Sequence, residues 1–441
     1  MRTRLVRTGT SFLALVCALL VGVAACEDVT HENLDKWKTT KKGEGKLREA
    51  LLAKSGDVDL SAHAAANLIS TGKADVVRAA FESGLPVDRR PLVAAKLAPR
   101  LWPMARIEGE LAIPSGEQIQ AKDALYELRA VADDATRATI DTYLIDWYTS
   151  GYYEGRANLG LHPGAKVMRT LARAAEVGMI SAANSVVARP PTGADGRTRL
   201  KIGDELLLGL AAVATPKAVA FVLDIVGMTD RGDATLPGRA IDALYKVFVD
   251  SGGLIEVAPP DGLVPNLEKI SAIVRNDDFP VRVSNDAIVL LRAAGPPHCV
   301  QPLISLISYP QRDLAYVGAN NALKCGGALA VVLVGMALPT DRRYQHEAIA
   351  GAVWSEFPQL PRAEVIAALR ELLGNPSWVA RWIAVEGLGK LASTEDKARI
   401  AALAKDRARL VGYWGDQDLP AKERKAEPTL GDRAAAISAA M

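Results

Sequence analysis

Aromatic residues, long apolar runs and a charge bias are all scarce in this sequence. Only 5% of its 441 residues are aromatic, whereas 49% are hydrophobic and 24% are charged. This balance excludes an intrinsically disordered chain. Basic and acidic residues number 53 and 51, and no long basic run occurs, so we expect no binding to nucleic acid. Abundant Ala and Leu favour closely packed helices.

Motifs of catalysis and cofactor binding are also missing. His346 and Glu347 begin the zinc-binding pattern H-E-x-x-H, but Ala350 occupies the second ligand position. Neither the G-x-S-x-G of a serine nucleophile nor the phosphate-binding G-x-x-x-x-G-K-[ST] occurs. Helical repeat proteins seldom carry active sites, so we predict that the chain is not an enzyme. We also expect no catalytic residues, no metal and no cofactor.

The first 25 residues have the order of an export signal. Arg2, Arg4 and Arg7 precede an uncharged run at residues 11–25. A membrane-spanning helix needs roughly 20 apolar residues, so this shorter run is typical of a cleaved signal peptide. Residues 330–338 form a second apolar run, which is too short to span a membrane. We interpret it as a buried helix.

The export signal ends in the residues VAAC at positions 23–26, which resemble the lipobox of bacterial lipoproteins. The resemblance implies that residues 1–25 are removed and that Cys26 carries the acyl chains. Several acyl chains together anchor a protein stably to a membrane. The alternative is an ordinary signal peptide whose cleavage site precedes a cysteine.

Anchoring through Cys26 predicts a protein of the cell envelope. In enterobacteria an Asp directly after the lipidated Cys resembles an inner-membrane retention signal, but here Glu27 stands between Cys26 and Asp28. We therefore favour the periplasmic face of the outer membrane over the inner membrane. Residues 26–45 are polar, lack apolar periodicity and hold Gly43 and Gly45 near their end. They predict a tether that links the anchor to the folded body.

Residues 46–441 have the pattern of a helical repeat array. Amphipathic stretches begin at Val281, Leu314, Gln345 and Trp378, spaced 33, 31 and 33 residues apart, and each is followed by a partner stretch. A helix pair at this period is the signature of an α-solenoid, in which neighbouring pairs stack into one core. Upstream spacings are looser. We predict an all-α solenoid of antiparallel helix pairs that is irregular in its N-terminal half.

The repeats resemble a known family in two segments. Residues 375–389, NPSWVARWIAVEGLG, are similar to the HEAT repeat in its short bacterial form, which is related to phycobilisome-lyase repeats. Residues 278–282, DFPVR, resemble the opening of another repeat. The resemblance implies that Arg282 and Arg381 reach acids or carbonyls in neighbouring repeats. The alternative is that both arginines are exposed.

Two of the four cysteines are left once Cys17 is removed with the signal peptide and Cys26 is lipidated. Cys299 begins the second helix of one repeat, and Cys325 ends the first helix of the next. An exported protein meets oxidising conditions, so these two residues either form a disulfide or remain buried free thiols. Because both lie in apolar runs, we favour the free thiols.

An aromatic cluster stands out in a chain with few aromatics. It holds Tyr143, Trp147, Tyr148, Tyr152 and Tyr153, next to a glycine-rich segment. Tyr and Trp beside flexible residues suit the recognition of a partner. The alternative, which we favour, is that these side chains pack inward.

Two functions fit these features. The first is a lipid-anchored envelope scaffold or adaptor, which binds a partner protein through a helical-repeat surface. The alternative is a lyase-like accessory protein, which holds a small ligand or a cell-wall polymer in the groove of the solenoid.

Overall fold

The computed structural model describes residues 28–53, 56–109, 113–188, 202–228, 233–309, 312–341, 345–414, 416 and 418–441. These residues form helices and connecting turns, with no β-strand among them. The all-α fold predicted from the sequence is confirmed. The chain divides into two compact units. Unit 1 holds the residues up to Gly151 together with Leu159–His162, and unit 2 holds Tyr152–Asn158 together with Pro163–Met441.

Unit 1 is a stack of neighbouring helices. In chain order these are α1 (His31–Lys38), α2 (Gly43–Leu52), α3 (Val58–Ser70), α4 (Ala74–Ala79), α5 (Arg89–Ala105), α6 (Gly116–Leu128) and α7 (Asp134–Thr149). Helices that are close in sequence pack on one another: α2 on α3, α3 on α5, α5 on α6, and α6 on α7. Local caps set several of the starts. Ser115 and Gln118 form a capping box at α6, and Asp133 caps α7.

The polar N-terminal segment is more ordered than we expected. We predicted a tether over residues 26–45, yet the structure places helix α1 inside it, packed against α2 and α3. Thr30 caps this helix, and Leu34 and Trp37 are buried. Two apolar side chains three positions apart lie on one face of a helix, so even a polar segment can dock on its neighbours.

Unit 2 contains the regular repeats. Its helices are α8 (Gly164–Leu171), α9 (Glu176–Ala188), α10 (Asp204–Ala212), α11 (Pro216–Val226), α12 (Leu236–Phe248), α13 (Leu267–Val274), α14 (Val281–Ala293), α15 (Val300–Ser305), α16 (Arg312–Gly326), α17 (Ala328–Ala337), α18 (His346–Glu356), α19 (Arg362–Leu372), α20 (Trp378–Lys390), α21 (Lys397–Ala402) and α22 (Leu430–Ala440). The helices that we predicted to begin at Val281 and Trp378 begin there.

Most of the described helices of unit 2 lie in two rows. One row runs α10, α12, α14, α16, α18, α20 and α22, each packed on the next, and the other runs α11, α13, α15, α17 and α19. Helices that are consecutive in sequence also pack across the rows, for example α11 on α12 and α15 on α16. This two-layer stacking of helix pairs is the predicted solenoid packing.

Arginines join neighbouring elements of these rows, as the HEAT resemblance implies. Arg381 donates to the carboxylate of Asp406 at 2.9 Å and to the carbonyl of Asn375 at 2.7 Å. Arg282 reaches Asp242 on the preceding row helix α12, with the two side chains 3.4 Å apart. Arg282 is largely exposed, so its ion pair contributes little to stability.

The two cysteines among the described residues, Cys299 and Cys325, are paired. Cys299 precedes α15 and Cys325 lies near the end of α16, and a disulfide joins them with their Cα atoms 6.4 Å apart. Our preference for two free thiols is therefore corrected. The helices α15 and α16 pack on each other, which brings the two residues together across the rows.

We expect this disulfide to contribute about 3 kcal/mol, because it closes a loop of 26 residues in the unfolded chain. In a Cys26→Ser background, urea unfolding should show equal losses for Cys299→Ala, Cys325→Ala and the double variant. Alkylation of the denatured, unreduced chain should leave both residues unlabelled. Labelling of both in the wild type would contradict the pairing.

Candidate functional site

A cavity of about 600 Å³ lies within unit 1. Helices α4, α5 and α6, the residues that directly follow α4 and α6, and the segment Leu159–His162 supply its walls. The floor is apolar, because Val77, Phe81, Leu97 and Leu128 line it and are buried. Cavities of this volume bind small molecules in many proteins.

Three polar side chains converge at one end of this cavity. Arg78 donates to Oε1 of Glu127 from Nε at 2.9 Å, and its Nη2 lies 2.8 Å from the same oxygen. His162 Nε2 lies 3.2 Å from that oxygen as well. Burial raises the pKa of Glu127, but the hydrogen bonds from His162 and Arg78 outweigh it, so the pKa is lower than usual. Glu127 is therefore a carboxylate at neutral pH.

The segment Leu159–His162 is held over α6 by a buried lysine and its neighbouring aspartate. Lys122 is fully buried, donates to the carbonyl of Leu159 at 2.9 Å and lies 2.6 Å from Asp123. Asp123 accepts a hydrogen bond from the backbone N–H of Leu161 at 2.8 Å. Burial lowers the pKa of Lys122, although Asp123 opposes that shift. These contacts fix one wall of the cavity.

Glycine is required within this segment. Gly160 has a φ of +90°, and a methyl group on its Cα would lie 2.3 Å from a carboxylate oxygen of Asp123. We expect Gly160→Ala to detach the segment from α6, at a cost of about 1–3 kcal/mol. Hydrogen exchange should accelerate at Leu161, while Gly116→Ala, where nothing lies within 4 Å of the added methyl, serves as the control. Unchanged exchange at Leu161 would show that the glycine is dispensable.

A pair of carboxyl groups lies at the start of α10 in unit 2. Glu154 accepts a hydrogen bond from the backbone N–H of Leu206 at 2.9 Å and bonds to the side chain of Glu205. Burial, followed by the neighbouring Glu205, raises the pKa of Glu154 to about 7. The pKa of Glu205 is lowered by its hydrogen bond from Glu154. The pair therefore shares one proton below neutral pH.

A raised pKa in the folded state contributes stability that is complete below the ordinary value and is lost as the pH rises through about 7. Glu205 does not alter this trend between pH 5 and 8, since its lowered pKa acts below that window. We expect the wild type to lose roughly 1 kcal/mol from pH 5 to pH 8 relative to Glu154→Gln, after discounting for solvent exposure. The measurement is urea unfolding of both proteins at each pH. Parallel profiles would refute the shared proton.

The aromatic residues predicted to bind a partner do not form one surface. In unit 1, Trp147 and Tyr148 are buried, and their rings meet edge to face. Tyr143 stacks on Trp102, with the ring centroids 4.9 Å apart. Buried side chains cannot meet a partner without unfolding, so Trp147 and Tyr148 are packing residues.

The other two predicted aromatics belong to unit 2. Tyr153 is buried, and its hydroxyl lies so close to Gly209 that a methyl group there would be 2.2 Å from it. Tyr152 is 51% exposed. Of the cluster, only Tyr143 and Tyr152 keep accessible surface, and the inward-packing interpretation describes the other three.

Helix α17 has apolar side chains on its exposed face. Leu329, Leu333 and Met336 are exposed by 82%, 37% and 56%. Their spacing places them on one face of the helix, while the opposite face, including Val331 and Val334, is buried. Our interpretation of residues 330–338 as a buried helix is therefore corrected, because Leu333 and Met336 are exposed. We call these three exposed residues the α17 stripe.

The predicted anchor at Cys26 lies outside the described residues. Within the described part, no helix is both long enough and apolar enough to cross a membrane. The same residues hold no group of three or more His, Cys, Asp or Glu side chains that suits a metal ion. His346 is buried and hydrogen-bonded to the carbonyl of Pro339 at 2.7 Å.

Sequence reasoning missed the cavity. Arg78 and Glu127 are 49 positions apart, and neither belongs to a motif. The only local sign of the cavity is a charged residue within an apolar helical stretch. That pattern is also found on many solvent-exposed helices, so it does not identify a cavity. The α17 stripe had a clearer signal, because residues 328–338 contain no polar side chain for an exposed face.

Comparisons with known proteins add little. No family model matches the chain, and no curated protein is similar to it. Among solved structures, it is similar to human deoxyhypusine hydroxylase in complex with glycerol, at 15% identity and a TM-score of 0.21. That alignment covers 68% of this chain and 98% of the hydroxylase. A likeness this distant carries no argument about activity, ligand or mechanism.

The comparison nevertheless corrects one prediction. We predicted a non-enzymatic protein, partly because helical repeat proteins seldom carry active sites. The hydroxylase is an enzyme with a HEAT-repeat fold, so this class of fold does not exclude catalysis. The prediction is withdrawn.

Proposed function

We propose that this chain is a lipid-anchored adaptor of the bacterial cell envelope, which binds a partner protein through the α17 stripe. The observation that carries the proposal is the stripe itself. An exposed apolar patch on a helix costs free energy in water, and such patches mark protein interfaces. Removing Leu329, Leu333 and Met336 from water would favour binding by about 25 cal/mol for each Å² covered.

The partner that fits this surface is a protein with a complementary apolar patch or amphipathic helix. Ridges of Leu and Met on one helix interlock with the side chains of another, and Met adapts to irregular surfaces. The run 328–338 holds no charged residue, so the centre of the interface contains no charge that would need a partner.

The lipobox resemblance supports the membrane part of the proposal. Acyl chains on Cys26 would confine the protein to the membrane surface, on the periplasmic face of the outer membrane. Confinement raises the effective concentration of another envelope protein, so a small apolar surface suffices for specific binding. The resemblance to HEAT-like repeats of the phycobilisome-lyase type supports a body built for binding.

Photocrosslinking in intact cells tests the proposal. We expect a photoreactive phenylalanine at position 333 to capture one envelope protein reproducibly, identified by mass spectrometry. The same probe at Val281, which is 76% exposed but outside the stripe, serves as the matched control. Leu329→Asp with Met336→Asp should reduce the captured protein at least tenfold, because a charge would be buried in the interface.

Cys26→Ser tests the anchor separately. The unacylated protein should leave the membrane fraction and capture less of the partner. Identical captured proteins from positions 333 and 281, or capture that the aspartate substitutions do not change, would refute the adaptor function. Retention of Cys26→Ser in the membrane would refute the lipid anchor alone.

A further inference from the structure

The unit 1 cavity offers a second binding surface, independent of the α17 stripe because the two lie in different units. Its floor of Val77, Phe81, Leu97 and Leu128 is apolar and buried. A volume of about 600 Å³ accepts a molecule of a few dozen atoms at most. The floor selects an apolar group.

Two charged residues that line the cavity, Glu127 and Arg90, have unused hydrogen-bonding capacity. Oε1 of Glu127 receives the contacts from Arg78 and His162. Among the described residues, none donates to the second oxygen, Oε2, which is therefore an available acceptor. Arg90 uses its Nε to donate to the carbonyl of Leu85 at 3.1 Å, and no carboxylate of the described residues pairs with it. Its remaining N–H groups are available donors.

The charges of the Arg and Glu residues that line the cavity are balanced. Arg78 and Arg90 are matched by Glu82 and Glu127, all of which line the cavity. An anionic or a cationic head group would enter without a surplus opposite charge, and it would lose its hydration. A neutral group that both donates and accepts hydrogen bonds can use the free acceptor and the free donors without adding a charge. The amide is the commonest such group.

We propose that the unit 1 cavity binds a short peptide-like molecule, with an apolar side chain on the floor and a neighbouring amide held by Glu127 and Arg90. The amide N–H donates to Oε2 of Glu127, and the amide carbonyl accepts from the Arg90 guanidinium. The wall formed by Leu161 and His162 is already held in place by Lys122 and Asp123. Binding therefore costs little conformational entropy in this segment.

The test uses the unacylated Cys26→Ser protein, because detergent would compete for an apolar cavity. N-acetyl-leucyl-leucinamide is the probe, and octanoate and octylammonium are charged apolar comparators. Titration calorimetry with saturation-transfer NMR should show binding of the amide. Each comparator should bind at least about fivefold more weakly, since its charge finds no surplus partner.

Three variants locate the site. Ala130→Trp fills the mouth of the cavity from an exposed turn and should abolish binding. Ala138→Trp, an equally exposed change on α7 outside the cavity, should leave it unchanged. Glu127→Gln should weaken binding about tenfold, because a neutral acceptor replaces the carboxylate. Circular dichroism confirms that each variant is folded.

Several results would overturn the proposal. The first is no binding of the amide to the wild type, and the second is equal binding to Ala130→Trp. Octanoate binding as tightly as the amide would reject the chemical class and leave a general apolar cavity. None of these results bears on capture at position 333, so the adaptor function stands or falls separately.

Discussion

The burial of each helix against neighbours on more than one side is the constraint on which the rest of this structure depends. In unit 2, a helix packs on its partner across the rows and on the next helix of its own row. Trp382 shows the consequence, because it is fully buried while its ring meets Trp354 of α18 and Tyr413 beyond α21. A helix pair cut out of the array would expose such side chains, so stability belongs to the stack and not to the single repeat.

Polar contacts add specificity to this apolar stack. In unit 2, Arg381 joins Asp406 and the carbonyl of Asn375, which sets the position of one element against the next. Unit 1 uses the same chemistry differently. There Lys122 and Asp123 hold an irregular segment in place, and a buried charge of this kind is tolerated because each of its partners is supplied. The segment then becomes a wall of the cavity.

The two proposed binding surfaces arise from opposite departures from this plan. At α17 one face of the helix, with Leu329 and Met336, stays exposed, so the apolar stripe is in water. In unit 1, the helices α4, α5 and α6 leave a gap that side chains do not fill. Regular stacking stabilises the protein, and the places where stacking is incomplete are where a partner or a ligand can bind.

Local sequence was enough to predict the helices, because their determinants lie within a few residues. Apolar spacing predicted the starts of α14 and α20, and both begin where the pattern indicates. The period of 31 to 33 residues predicted stacked pairs. The short polar helix α1 was not predicted, because the burial of Leu34 and Trp37 depends on α2 and α3.

Only the tertiary structure decided which residues meet. Arg78 and Glu127 are distant in sequence and carry no motif, so their contact depends on how α4 and α6 pack. The pairing of Cys299 with Cys325 likewise required the two rows to bring them together. The sequence alone did not distinguish whether Trp147 and Tyr153 face a partner or the core. Packing places both in the core. The sequence by itself therefore determined the helices and their order, since these depend on neighbouring residues, whereas contacts between distant residues determined the cavity, the disulfide and the exposed stripe.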